Sequence, residues 1–185
     1  ATPRHIIVRF TKVEMKEKLD AGLVCFYLFN IVHLKEGEGI FQDAGIPHAY
    51  LRGQNVELMA CSDNVVRGGL TPKYVDIVEL LKIVDCREVT PQIISAAPQN
   101  QSEFTYKTPV NDFALTQIRV EPQQHTELNL QSAGILLVMK GELKIQEKSA
   151  ALTLKQGESA FITADSNLEI MSEKGGYAFL AKLPN

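Results

Sequence analysis

Side chains suited to proton transfer, anion binding and metal binding are concentrated between residues 48 and 73. The stretch PHAYLRGQNVELMACSDNVVRGGLTPK includes an imidazole, a phenol, two carboxylates and, near its end, two cations: His48, Tyr50, Glu57, Asp63, Arg67 and Lys73. Alternation along one strand–turn–strand–loop unit can direct several of them toward a single cleft. There the carboxylates could move protons, the cations could bind a small anion, and the imidazole could bind a metal. The alternative interpretation is a solvated set of charges beside a core strand.

A glycine-rich turn precedes the histidine. The positions of Gly37, Gly45 and His48 resemble the second metal-binding motif of the cupin family, although Asp43 replaces the proline of that motif. Such a turn can swing the next strand inward, so that its first imidazole points into the mouth of a barrel. A histidine after proline is also common as a turn residue or as a satisfied core group, and this second interpretation stays open.

The elements expected before this cluster are a helix and a strand. Thr11 followed by Glu14 is a capping-box pattern and predicts a short helix over 12–20. The apolar run from Leu23 to Val32 predicts a buried strand.

A second helix and a second set of strands are expected after the cluster. Thr71 as N-cap, Pro72 at the first helical position and the apolar spacing that follows predict a helix at about 72–85. The polar segment 88–103 is expected to be a surface connector. Further strands are predicted in DFALTQIRV, GILLVMKGELKIQ, AALTLKQGESAFITAD, NLEIMSE and YAFLAKL.

Two segments repeat one pattern. LKEGEGIFQDAGIPHAYL and LKQGESAFITADSNLEIM share a Leu-Lys-x-Gly-Glu opening, an apolar strand and a turn, which predicts two related half-barrels in tandem. In the second copy, Asp165 and Leu168 occupy the positions of Gly45 and His48. The second barrel is therefore expected to hold no metal.

The run from Pro47 to Ile77 resembles the signature region of type I phosphomannose isomerases. PHAY, a glutamate two residues before Met-Ala, SDNVVR and GLTPK occur in that order and at compatible spacing. The resemblance implies a mainly β fold of tandem cupin (jelly-roll) barrels, the first incomplete. It implies residues 1–87 as the C-terminal part of the catalytic barrel, 88–103 as a connector and 104–185 as a second, metal-free barrel.

The resemblance also implies an activity, the zinc-assisted interconversion of mannose 6-phosphate and fructose 6-phosphate. Aldose–ketose isomerisation needs a base, a proton shuttle and an electrophile for enediolate charge. The implied roles are metal binding for His48, catalysis for Arg67 and Glu57, and substrate binding for Tyr50, Asp63 and Lys73.

The chain departs from the family in its other zinc ligands, a Gln-x-His pair and a glutamate, which come from the N-terminal half of those enzymes. His5, His33 and His125 do not lie in a Gln-x-His pattern and are expected to be structural or exposed. One imidazole does not hold catalytic zinc, so the isolated chain is expected to bind zinc poorly and to be inactive. We expect the remaining ligands outside this chain, which lacks an initial Met and is expected to begin inside a longer gene product.

Composition limits the classes of partner. The 185 residues carry a formal net charge of -3, so the basic excess typical of nucleic-acid binding is absent. The longest apolar run is shorter than the roughly 20 residues of a membrane helix. Three widely spaced cysteines and the lack of a signal peptide predict a cytoplasmic protein. Its partner is expected to be a small sugar phosphate, with homo-oligomers possible, and the alternative function is a non-enzymatic cupin that binds a sugar or a protein.

Overall fold

The computed structural model describes residues 20–60 and 65–184, so the helix expected over 12–20 lies outside the described residues except at Asp20. The described chain forms two compact units. The first unit comprises residues 20–33, 42–55 and 65–92, and the second comprises 34–41, 56–60 and 93–184. Within the described ranges, no helix is long and apolar enough to span a membrane.

The prediction of a strand over 23–32 is wrong. Ala21–Val24 form a 3-10 helix, and α1, Cys25–Leu28, adds one further turn. The Asp20 carboxylate begins this segment by accepting a hydrogen bond from the Gly22 amide at 2.7 Å. An unbroken apolar run does not distinguish a strand from a helix, and here the N-terminal cap favours the helix. Several apolar side chains of this segment are exposed: Val24, Tyr27, Leu28 and Phe29.

A helix forms within the predicted range 72–85, but it begins later. Helix α2 is Ile77–Ile83, and its N-cap is Asp76, whose carboxylate accepts a hydrogen bond from the Glu79 amide at 3.0 Å. The Thr71 hydroxyl instead accepts from the amide two residues later, at 3.2 Å. A carboxylate at the start of a helix satisfies an unpaired amide and interacts favourably with the helix dipole, which explains why Asp76 sets the boundary.

The twelve strands of the described chain belong to the second unit. They are β1 Glu38–Ile40, β2 Ile93–Ser95, β3 Ala97–Pro98, β4 Glu103–Tyr106, β5 Ala114–Val120, β6 Gln124–Leu130, β7 Gly134–Lys140, β8 Glu142–Glu147, β9 Ala150–Lys155, β10 Ser159–Ile162, β11 Ser166–Ser172 and β12 Gly176–Lys182. The segment expected as a connector, 88–103, contains β2, β3 and the first residue of β4.

Antiparallel pairing joins these strands into three sheets. A six-stranded sheet has the order β10-β7-β12-β5-β4-β3, a four-stranded sheet has the order β6-β11-β8-β9, and β1 pairs with β2. Ile118, Leu136 and Leu180 from the six-stranded sheet are fully buried in the same core as Leu143 and Ile170 from the four-stranded sheet. Burying each such side chain contributes about 1.5–3 kcal/mol. The two larger sheets therefore enclose one hydrophobic core.

The Leu-Lys-x-Gly-Glu repeat forms the same turn twice. Gly37 has φ +84° and Gly157 has φ +85°, a left-handed conformation that favours glycine. In each copy the glutamate carboxylate accepts a hydrogen bond from the lysine amide at 2.8 Å: Lys35 with Glu38, and Lys155 with Glu158. The structural repeat supports the tandem relationship predicted from the sequence.

Tyr106 joins the first copy of this turn to strand β4. The Tyr106 side chain is buried, and its hydroxyl donates a hydrogen bond to the Gly37 carbonyl at 2.9 Å. Burial raises the pKa of the Tyr106 phenol above its ordinary value, while the positive charge of Arg119 acts in the opposite direction. The neutral phenol therefore holds residues 34–41 against the barrel.

Candidate active site

The turn that presents His48 packs against residues 83–87. Gly45 has φ +79°, and its carbonyl accepts a hydrogen bond from the Asp85 amide at 2.9 Å. A Cβ atom at Gly45 would lie 2.7 Å from the Ile83 carbonyl oxygen. Both the backbone conformation and the close approach require glycine, so this turn is fixed by the chain that follows α2.

Asp43, which replaces the proline of the cupin motif, supports the same turn. Its carboxylate pairs with the Arg87 guanidinium at 2.8 Å, and Arg87 also pairs with Asp85 at 3.3 Å. These side chains are substantially exposed, so each pair contributes up to about 1 kcal/mol. Their effect is to orient the turn.

The His48 ring is exposed, with Nδ1 lying 3.0 Å from the Ile46 carbonyl oxygen. A carbonyl only accepts hydrogen bonds, so Nδ1 carries the proton in this contact. In the neutral ring, the Nε2 lone pair is then available for a metal. The Tyr50 ring meets the imidazole edge-on, with the ring centroids 5.9 Å apart.

Asp20 anchors the loop that follows Arg67. Arg67 is half-buried, and beyond it Gly69 and Leu70 have φ values of +143° and +50°. The Asp20 carboxylate accepts hydrogen bonds from the Gly22 amide at 2.7 Å and the Leu70 amide at 2.9 Å. Sequence reasoning missed this role because Asp20 was placed at the end of a helix. The Asp-x-Gly pattern is the local signal that was available.

The remaining predicted residues are placed as follows. Tyr50 is 61% exposed, and Lys73 is also exposed. Glu57 is exposed and belongs to the second compact unit, whereas His48 and Arg67 belong to the first. Asp63 lies outside the described residues. Within the predicted set, the rings of His48 and Tyr50 are in direct contact.

The described residues do not build a zinc centre by themselves. Within residues 20–60 and 65–184, no three His, Cys, Asp or Glu side chains are grouped closely enough to hold a metal ion. His48, the metal ligand predicted from the sequence, is therefore not part of a three-residue group within those ranges. Catalytic zinc sites usually combine three protein ligands with one open position.

Comparisons with known families and proteins agree with this architecture. The family model of the mannose-6-phosphate isomerase cupin domain matches residues 102–173. The mannose-6-phosphate isomerase of Salmonella typhimurium is 42% identical over 149 residues, which are 80% of this chain and 38% of that protein. The enzyme of Bos taurus is 39% identical over 160 residues, covering 82% of this chain and 38% of that protein.

A solved structure extends the match to the whole chain. Mannose 6-phosphate isomerase from Salmonella typhimurium, bound to its substrate fructose 6-phosphate and to zinc, superposes with a TM-score of 0.82 at 34% identity. The match covers 100% of this chain and 46% of that chain. The first 23 residues also match a second family model, the L1 transposable element RBD-like domain. The structure describes only the last few residues of that segment.

The two-sheet barrel that includes residues 102–173 is a cupin domain, and the expected mainly β cupin fold is confirmed. The chain belongs to the type I mannose-6-phosphate isomerase family. It spans 38% of the length of the relatives with which it was aligned.

Proposed function

We propose that this chain is the C-terminal part of a mannose-6-phosphate isomerase and carries part of its active site. The main support is 42% identity over 149 residues to an enzyme of that name. The relative solved with fructose 6-phosphate and zinc has the same fold over the full length of this chain. The substrate of the present protein would be a sugar phosphate, converted between mannose 6-phosphate and fructose 6-phosphate.

The predicted site residues suit this reaction. Moving a proton between C1 and C2 through an enediol needs an acid–base group, for which Glu57 is our candidate. Arg67 would stabilise the developing oxyanion or bind the phosphate, as a guanidinium does through two parallel hydrogen bonds. Tyr50, Asp63 and Lys73 would complete the substrate-binding surface.

His48 would contribute one zinc ligand through Nε2, with the other ligands supplied from outside this chain. Zinc in such a site supplies an electrophile that stabilises negative charge on a substrate oxygen. The anchored turn at Gly45 and the hydrogen bond from Nδ1 to Ile46 would orient the ring. The isolated chain is expected to be inactive because one ligand does not retain the metal.

Arg67→Ala in the complete zinc-loaded protein tests this proposal. We expect turnover of mannose 6-phosphate to fall by about 10²-fold or more, as when a charge-stabilising donor is removed, with little change in unfolding free energy. Arg52→Ala is the matched control, since Arg52 is an exposed cation in the same compact unit. Equal turnover of the two variants would exclude Arg67 from the mechanism.

A non-enzymatic cupin that binds a sugar or a protein partner is the second candidate. Calorimetric binding of a sugar by a zinc-free protein that never shows turnover would support it. Cytoplasmic location and homo-oligomer formation also stay predictions.

A further inference from the structure

The second compact unit contains a polar pocket that the proposed isomerase site does not use. It has a volume of about 390 Å³ and is lined by Glu36, Gly37, Gln117, Arg119, Lys140 and Tyr177. Pockets that bind small ligands typically enclose about 300–1,000 Å³. All six lining residues belong to this one unit. The pocket therefore has the size of a small-molecule site, and its lining lies within the second compact unit.

The sheet register places a phenol between two cations. Tyr177 on β12 lies directly opposite Arg119 on β5 and opposite Lys140 on β7, at a register shift between Tyr177 and Ala178. Neighbouring strands are about 4.8 Å apart, so the backbones of the two cationic residues are separated by about 10 Å. Both cationic residues thus flank Tyr177 on the two neighbouring strands of the sheet.

The Arg119 guanidinium is fixed before any ligand arrives. Its Nε and Nη2 atoms donate hydrogen bonds to the Gln117 Oε1 atom at 3.0 and 2.8 Å, and Gln117 is only 6% exposed. The guanidinium carbon lies 4.3 Å from the centroid of the Phe104 ring. These two hydrogen bonds use two of the five N–H donors of arginine, so three remain for a ligand. Because the Arg119 side chain is already ordered, it would lose little conformational entropy on binding.

The two cations also lack carboxylate partners in the described part of the chain, where the ion pairs include neither Arg119 nor Lys140. Glu36 is the acidic residue in the lining, so the pocket carries two positive charges and one negative charge. A purely anionic ligand would be attracted by the two cations and partly opposed by Glu36. A ligand with both a phosphate and hydroxyl groups suits the set, because a carboxylate accepts hydrogen bonds from hydroxyls.

We infer that this pocket binds a sugar phosphate, with the phosphate on Arg119 and Lys140 and a sugar hydroxyl on Glu36. Binding here requires no isomerase activity and no metal. The ligand class is a phosphate monoester of a polyol, and mannose 6-phosphate is the probe available from the comparisons.

Amide chemical shifts of the isotope-labelled 185-residue chain test the inference. The chain is titrated separately with mannose 6-phosphate, inorganic phosphate and mannose. We expect the amides of Arg119, Lys140 and Tyr177 to shift with mannose 6-phosphate, more weakly with phosphate, and least with mannose. Shifts confined to residues 48–73 would report the proposed active site instead and would overturn a site in this pocket. Equal affinity for phosphate and mannose 6-phosphate would show that the sugar makes no contact in the pocket and would overturn its contact with Glu36.

Two variants and a control identify the binding groups. Lys140→Met should weaken mannose 6-phosphate binding at these amides about tenfold, since one charge-assisted hydrogen bond is lost. Arg119→Lys keeps the charge but removes the fork, and should weaken binding by a similar factor. Lys144→Met alters an exposed cation on the other sheet and should leave affinity unchanged. A dispersed spectrum shows that each variant is folded, and unchanged affinity in Lys140→Met and Arg119→Lys would overturn the assignment.

Discussion

Gly45 and Asp165 occupy equivalent positions in the two copies of the repeat, and both have a positive φ. Their φ values are +79° and +59°, in the region that asparagine and aspartate tolerate best after glycine. The residue three positions later differs in chemistry: His48 is exposed, whereas Leu168 is buried in the barrel core. The second copy therefore places a core side chain at the position that His48 occupies in the first copy.

Gly45→Ala should destabilise the first compact unit. A left-handed residue other than glycine costs about 1–2 kcal/mol, and the contact with the Ile83 carbonyl adds an overpacking cost of about 1–3 kcal/mol. Gly53→Ala is the matched control, because Gly53 also has a positive φ but has no atom within 4 Å of the added Cβ. Urea unfolding should show a larger loss for Gly45→Ala, and equal losses would contradict the close approach.

The Tyr106 hydroxyl should make stability depend on pH. Burial raises the pKa of this phenol above 10.0, so the unfolded chain loses the proton first as pH rises. The stabilisation is complete below about pH 10 and is lost as pH rises through the folded pKa. We expect Tyr106→Phe to be about 1 kcal/mol less stable than wild type at neutral pH, with a smaller difference above about pH 10.

Urea unfolding of wild type and Tyr106→Phe across this pH range measures the effect. Tyr74→Phe is the control, since Tyr74 is 82% exposed, and it should change the unfolding free energy little at any pH. A wild-type advantage that persists unchanged in strong alkali would show that the phenol does not titrate as its burial requires.

At the scale of elements, the sequence predicted strands whose apolar and polar residues clearly alternate. It did not predict a helix boundary correctly where two residues could each act as the N-cap. Strands β5, β7 and β9 fall within predicted runs. Strand β6, Gln124–Leu130, was missed because its polar outer residues mask the alternation of Thr126, Leu128 and Leu130. The boundary of α2 was misplaced because Thr71 and Asp76 both precede apolar runs, and tertiary structure selects between them.

The start of helix α2 gives a direct test of this selection. Asp76→Ala removes the side-chain acceptor for the Glu79 amide and should cost about 1 kcal/mol of local stability. Hydrogen exchange of the Glu79 amide should accelerate accordingly. Thr71→Ala is the control and should leave that exchange rate unchanged. If Thr71→Ala accelerated exchange of the Glu79 amide and Asp76→Ala did not, the helix would begin at residue 72 as the sequence predicted.

At the scale of the whole molecule, the described core lies in one unit. Every buried hydrophobic side chain in the described ranges falls between Tyr106 and Leu180. The sequence predicted this barrel through its periodic strands. The candidate site was predicted instead from the order of short sequence motifs, because the spacing of apolar residues does not indicate which polar side chains come together. Anchors such as Asp20 depend on a contact with Leu70, 50 residues away, which local patterns do not encode.

The most direct test of the isomerase assignment uses protein captured from its native source with an antibody against the second compact unit. Intact mass, zinc content and turnover of mannose 6-phosphate are measured on the same captured protein. We predict a mass well above 20.5 kDa, about one zinc per chain and isomerase activity. A captured protein of 20.5 kDa without zinc or turnover would contradict the assignment and would favour the sugar-binding cupin.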